Sequence, residues 1–448
     1  MPKTPTHLIF FSYLCKSETK KIKTYIKMKK ALLILCCAAI CSSVFAQEKA
    51  TKEEQKDSGY VFTTVKEIPI TPVKNQYKAG TCWCYSGLGF IEAELLRMGK
   101  GEYDLSEMYI VYNTYIDRAK AAVRTHGDVS FSQGGSFYDV IYGMKTFGLV
   151  PEEEMRPGQE YGDTLSDHSE LSAFADAVVG IVAKGKLKKM QVGKDGMLLW
   201  EKVLRNIHET YLGKCPTEFT FKGKKYTPKS FYESLGINAD DYISITSYTH
   251  HPFYEKFVLE IQDNWRWSQC YNVPLDEFME IFDYAIDNGY TIAWGSDVSE
   301  DGFRMGRKSG ACVLPDLEAK GPNLGSDMAH WTGLKPSERK SEAEKHPTPQ
   351  RWVTQEERQQ AYDNWETTDD HGMLIYGKAT DQMGNEYYMV KNSWGDYGTY
   401  HGMFYASKAF VRYKTMNIVV HKDAIPDAIK AKMGIESNNK NAKKGKKK

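Results

Sequence analysis

Past residue 46 the chain has no apolar run near the about 18 residues that a membrane-crossing helix needs, so no span is predicted there. Cysteine is scarce: of nine, Cys15, Cys36, Cys37 and Cys41 precede residue 47, and Cys82, Cys84, Cys215, Cys270 and Cys312 follow it. Those five match neither a Cys-x-x-Cys zinc ribbon nor a dense disulfide framework, and their odd number leaves at least one thiol unpaired. His250-His251 has no third metal ligand at regular spacing, and the acids around Asp297 and Asp301 lack calcium-loop periodicity, so no metal site is predicted. Internal repeats are also missing.

Charge is balanced overall, at +1, but not along the chain. Residues 1–46 hold +7 and residues 437–448 hold +6, which leaves −12 on residues 47–436. An acidic body repels phosphate and excludes nucleic acid as the natural partner. The basic start has its own reading. Met28-Lys29-Lys30, the apolar stretch Ala31 to Ala46 and the closing Val44-Phe45-Ala46 form the n-region, h-region and cleavage site of a secretory leader. The expectation is therefore an exported protein, periplasmic or secreted, cleaved near Ala46. Residues 47–66 read as a polar, mobile lead-in, 67–436 as the folded domain, and 437–448 as a lysine-rich tail.

Helical periodicity begins at Cys82, with Leu88, Ile91, Leu95 and Met98 on one face, and returns over Phe137 to Leu149 and within 164–212. Strands are expected around 216–252, a helix from Leu275 to Asn288, a strand over Thr291–Gly295, and irregular polar chain over 300–366. The last third is rich in strands: Met373 to Ala379 and Glu386 to Lys391 flank an Asp381-Gln382-Met383-Gly384 turn, with further strands at Gly402–Ala406 and Asn417–Val420. Helices early and strands late predict an α+β fold.

Three separated blocks carry chemistry. Gln76-Tyr77-Lys78-Ala79-Gly80-Thr81-Cys82-Trp83 puts Cys82 in the first turn of a helix, where free N–H groups and the positive end of the dipole favour a thiolate. Asp369-Asp370-His371-Gly372 and Asn392-Ser393-Trp394-Gly395 frame the two-stranded unit downstream. These blocks, in this order, resemble the papain-like cysteine peptidases. The resemblance implies Cys82 as nucleophile, His371 as base and then acid, Asn392 as the group that orients the ring, and Gln76 as an oxyanion-hole donor. It further implies that Trp394 screens the His371–Asn392 bond, that Asp370 tunes the catalytic pair, and that Gly134-Gly135 binds substrate backbone. No cofactor is implied, and the partners are peptides.

His371 follows Cys82 by 289 residues, against roughly 130–150 in the secreted endopeptidases. With Ala79 where those relatives carry a half-cystine, the long spacing resembles the bleomycin hydrolase and aminopeptidase C branch. Leu105-Ser106-Glu107-Met108-Tyr109 and Thr291 to Val298 look like segments of the same branch. That branch implies a papain-like fold with a helical N-terminal half, a β-rich C-terminal half, the cleft between them, and a large inserted helical subdomain at roughly 155–365. It also implies a homo-oligomer, commonly a hexamer, and an aminopeptidase whose C-terminal arm receives the substrate's amino end. The Lys440–Lys448 run would repel such an amine unless trimmed. Cysteine endopeptidase, dipeptidyl-type peptidase and a catalytically retired peptide-binding protein stay open as alternatives.

Overall fold

A computed structural model describes residues 59–187, 189–319 and 331–436. The leader 1–46, residues 47–58 of the lead-in and the tail 437–448 lie outside the described residues. The chain divides between Val61 and Phe62, and the sheet and helices belong to the unit that starts at Phe62.

The described residues contain twelve strands, in chain order β1 (Phe62–Glu67), β2 (Phe219–Phe221), β3 (Lys224–Tyr226), β4 (Tyr242–Thr246), β5 (Lys256–Val258), β6 (Gln269–Asn272), β7 (Ile292–Ser296), β8 (Ala311–Cys312), β9 (His371–Asp381), β10 (Glu386–Lys391), β11 (Met403–Ser407) and β12 (Thr415–His421). All but the β2–β3 ribbon join one sheet, in the order β5-β6-β4-β12-β7-β9-β10-β11-β8, with β1 also paired to β9. The eleven-residue β9 serves two partners on one edge: His371 to Ile375 face β7, and Gly377 to Asp381 face β1. Gly377 sits at the change-over, where an added Cβ would come within 2.6 Å of Lys66 O.

The early helices form a layer against this sheet: α1 (Cys82–Arg97), α2 (Glu107–Arg124), α3 (Phe137–Thr146), α4 (Ser169–Ala183) and α5 (Leu199–Leu212). Helix α1 is buried nearly all round, from Trp83 through Leu95, because helices cover one side and β9 the other. Its acids are accommodated by pairing. Glu92 accepts from Thr71 Oγ1 at 2.6 Å and from the Leu105 N–H at 2.9 Å, and Glu94 accepts from Arg97 at 2.8 Å. The other face of the sheet packs on α7 (Leu275–Asp287), whose Phe278, Ile281, Phe282 and Ile286 are fully buried with Trp294, Ile375 and Ile418.

Several sequence expectations change in the folded chain. Phe62–Glu67 pairs with β9, so the lead-in reading stops short of residue 62. Inside the 216–252 stretch lies a helix, α6 (Pro228–Leu235), begun by a Thr227 cap and Pro at its first position, with Phe231 and Leu235 buried four residues apart. The 300–366 segment contains α8 (Pro336–Lys345) and α9 (Gln355–Asp363). Both are so polar that no apolar stripe betrays them. Reciprocal capping by Thr354 and Glu357 starts α9, and Arg358 on it is buried, donating to Ser247 O (3.0 Å), Arg412 O (3.1 Å) and Tyr413 O (3.1 Å). Nor is 155–365 a single helical block. It supplies α4 and α5 to the helical layer but also β4 to β8 to the main sheet, β7 at its centre. The central strands of that sheet, β7 among them, are buried on both faces, with helices packed on either side. Short helices α10 (Lys408–Lys414) and α11 (Asp427–Lys432) complete the described chain.

Candidate active site

Cys82 opens α1, where Thr81 makes no side-chain cap. The Cys84 and Tyr85 N–H groups bond back to Thr81 O at 2.9 and 3.2 Å. The Trp83 N–H points at the Cys82 sulfur, as does the Gly372 N–H arriving from β9. Gly372 must be glycine for that approach: a Cβ would lie 2.8 Å from Ser86 Oγ. Cys82 and His371 line one cavity, which joins the N-terminal end of α1 to the start of β9.

The β9–β10 pairing explains the spacing of the downstream blocks. The ladder ends where Lys391 stands opposite Leu374, and the chain beyond it turns so that Trp394 bridges to Asn75 with its ring beside His371. The His371 and Trp394 rings are 4.8 Å apart at 34°. One residue past β10, Asn392 Oδ1 lies 2.7 Å from His371 Nε2 and also accepts from the Ser393 N–H at 2.7 Å. Its Nδ2 packs 3.0 Å from Met305 Sδ, which fixes the amide orientation so that oxygen faces the ring. The bond at Nε2 leaves Nδ1 as the ring nitrogen free for Cys82.

Gln76 joins this group through the backbone. Its N–H donates to Ser393 O at 2.8 Å, its Oε1 accepts from Ser393 Oγ at 2.7 Å, and its Nε2 donates to Ala79 O at 2.7 Å. One Nε2 hydrogen remains for a ligand. Asp370 makes a different set of contacts. Its carboxylate accepts from the Val298 and Ser299 N–H groups at 3.1 and 3.0 Å and from Thr368 Oγ1 at 2.8 Å, holding the loop after β7 beside the site without bonding His371. Gly134-Gly135, which the resemblance implies binds substrate backbone, has Gly135 against Trp83 but is covered: Asp263 accepts from the Gly135 N–H, and a Cβ on Gly134 would stand 2.3 Å from Asp263 Oδ2.

Burial pushes the Cys82 thiol up to about 12, opposed by the Gly372 N–H and reinforced by Asp263 and Asp369. Burial likewise pushes His371 down to about 4, opposed by Asn392 and then Asp370. Taken singly both groups are neutral near pH 7, so charge separation here has to occur within the pair, where each new charge offsets the other.

Asp263 and Asp369, which line this cavity too, were not singled out from the sequence. Asp369 is adjacent to the His371 block. Asp263 lies 108 residues upstream of His371 with no local pattern, and only the fold brings it in. His250 and His251 acquire a third neighbour in Glu260, at 3.1 and 2.9 Å, which pairs with the rings as an exposed acid. All five cysteines of the described residues are free thiols. No helix of the described residues is long and apolar enough to cross a membrane.

Residues 13–315 and 352–441 match the Peptidase C1-like family. The chain belongs to that family. It is 24% identical to aminopeptidase E of Lactobacillus helveticus over 413 residues, covering 83% of this chain and 85% of that protein. To aminopeptidase C of Lactococcus lactis subsp. lactis it is 22% identical over 395 residues, 81% of this chain and 83% of the other. The crystal structure of PepW from Lactobacillus rhamnosis HN001 matches with a TM-score of 0.61 at 18% identity, covering 88% of this chain and 91% of that one. The fold expectation therefore holds: this C1-family chain has the α+β architecture of that structure, and the family makes it a cysteine peptidase.

Proposed function

We propose that this protein is an aminopeptidase that releases residues from the N-terminus of peptides through a thioester on Cys82. The observation that carries the catalytic assignment is the His371 Nε2 to Asn392 Oδ1 bond of 2.7 Å, which reserves Nδ1 for the thiol sharing its cavity. Cys82 Sγ passes its proton to His371 Nδ1 and attacks the carbonyl carbon of the first peptide bond. The oxygen, now negative, is held by the Cys82 N–H and the spare Nε2 hydrogen of Gln76. His371 returns the proton to the departing amine as the C–N bond breaks, leaving a thioester. Water, deprotonated by His371, then hydrolyses the thioester and restores the thiol. Trp394 keeps water from the His371–Asn392 bond. The aminopeptidase mode is supported by the named relatives and by the acid lying across the Gly134-Gly135 ledge.

Export after cleavage near Ala46 belongs to the same proposal, supported by the leader pattern from Met28, and so does a homo-oligomer, supported by the branch resemblance alone.

The test is hydrolysis of matched fluorogenic peptides, one with a free amine and one acetylated. Cleavage confined to the free peptide supports the aminopeptidase; equal cleavage of both moves the assignment to an endopeptidase, and cleavage of neither leaves a peptide-binding protein. A narrower expectation concerns the oxyanion donor. Gln76→Ala should lower kcat about 100-fold with KM changed only a few-fold, because the lost N–H serves the transition state. An unchanged kcat would remove Gln76 from the mechanism.

A further inference from the structure

The loop between β5 and β6, residues 259–268, closes one end of the Cys82–His371 cavity and is anchored at several points. Asn264 is buried, donates to Leu259 O and Ser268 O, both at 3.0 Å, and accepts from the Ser268 N–H at 2.9 Å. Arg266 reaches the helical layer, 2.6 Å from Asp139 and 3.0 Å from Asp117, with its guanidinium 4.0 Å from the Tyr142 ring centre. The loop is thus a built cap whose position is over-determined.

At its tip is Asp263, seated on Gly134 and accepting from the Gly135 N–H. Two glycines that leave backbone exposed beside a nucleophile form a ledge for an extended peptide; here the chain's own carboxylate occupies it. A substrate cannot run on past that acid, but a positive end group can stop at it.

The charges around the cavity favour such an end group. Asp263, Asp369 and Asp370 line the cavity, and of these Asp263 is paired with Arg118, 3.5 Å away, which also donates to Ser130 O and Gly134 O. Arg266 is matched by Asp139 and Asp117. Among the described residues no hydrogen bond or ion pair holds Asp369, and burial, then Asp263 and Asp370, push its carboxyl up to about 7. The acids beside the thiol therefore outnumber the one arginine that pairs with them.

We propose that Asp263, with Asp369 beside it, binds the α-ammonium group of the substrate's first residue and thereby confines cleavage to the N-terminal peptide bond. This rests on the aminopeptidase reading and names the residues that enforce it. An acetylated terminus offers no charge to the two carboxylates and adds atoms where the cap already sits.

The experiment compares the full chain with Asp263→Asn and Asp369→Asn on the free and acetylated fluorogenic peptides. In Asp263→Asn, which keeps the Gly135 N–H acceptor but loses the charge, KM for the free peptide should rise about 100-fold with kcat changed little, and the preference for a free amine should collapse. Asp369→Asn should move the same ratio in the same direction. If the native chain prefers the free amine and both variants keep that preference, this inference falls while the aminopeptidase stands; if the native chain shows no preference, both fall. A measurement on the native chain guards against misfolded variants. n-Butylammonium should slow iodoacetamide labelling of Cys82, and n-butanol at equal concentration should not. Equal labelling in both would overturn the proposal.

Discussion

Cys82→Ala is expected to abolish peptide hydrolysis, lowering kcat/KM on the order of 10⁴-fold or more while the protein stays folded. Sγ is the atom that becomes covalently bound, and neither Gln76 nor Asn392 can replace it. The side chain is half-buried at the end of α1, so alanine removes one sulfur without opening a large cavity. The companion experiment tests the base. In His371→Ala the thiol has to ionise unaided in surroundings that push it up to about 12, so iodoacetamide labelling at pH 7 should fall about 100-fold. The sign follows from the thiolate fraction: in that variant, labelling should climb about tenfold per pH unit until the thiol ionises, whereas the native pair should label readily near neutrality. A His371→Ala variant that labels as fast as the native chain at pH 7 would show that His371 does not take the proton.

Gly402→Ala is the second substitution with a large expected effect, here on stability. Gly402 has φ +85°, and a Cβ would stand 2.4 Å from Gly395 O and 2.6 Å from Val73 Cγ1. Its carbonyl accepts the Asn392 N–H at 3.0 Å and its N–H donates to Tyr397 O at 2.8 Å, so the close approach is what folds the Asn392–Gly395 turn against β11. Backbone strain and a clash with a carbonyl that cannot step aside together cost about 3 kcal/mol, read as a lower denaturant midpoint at unchanged slope. Because Asn392 is displaced with the turn, kcat should fall in native buffer as well. A midpoint equal to that of the native chain would mean the turn can open without cost.

Neither effect depends on residues that the sequence conceals. The Cys82 block, the His371 block and the Asn392 block are each local: one helix start, one strand start, one strand end. Their chemistry is legible because residue type and spacing already imply a helix N-terminus and a hairpin. The structure adds the turn after β10, which sets Trp394 over the His371 ring and Asn392 at its Nε2. Helix α1 and strands β9 and β10 were legible for the same reason, since each holds a long apolar pattern of one period.

Elements that draw their stability from partners were not. Helix α9 carries no apolar stripe and is held by Arg358 reaching carbonyls of residues more than fifty positions away along the chain, which no local pattern encodes. Strand β1 is mostly polar and exposed at every residue after Phe62, and it exists because β9 offers a free edge beyond Tyr376. Asp370 shows the limit for a site residue: its place next to His371 is local, but whether it bonds the ring or the 298–299 backbone is settled by where the loop after β7 lies.

By itself, then, the sequence determined the kind of reaction, because a nucleophile, a base, an orienting amide and an oxyanion donor are residue types at positions that short-range folding rules place. Tertiary structure alone decided what shape the cleft has around them. The Arg266 anchor of the 259–268 cap on Asp139 and the Asp263 carboxylate on Gly134 come together across more than a hundred residues of chain. Contacts of that range arise from packing and charge pairing in the finished core, where local periodicity carries no information.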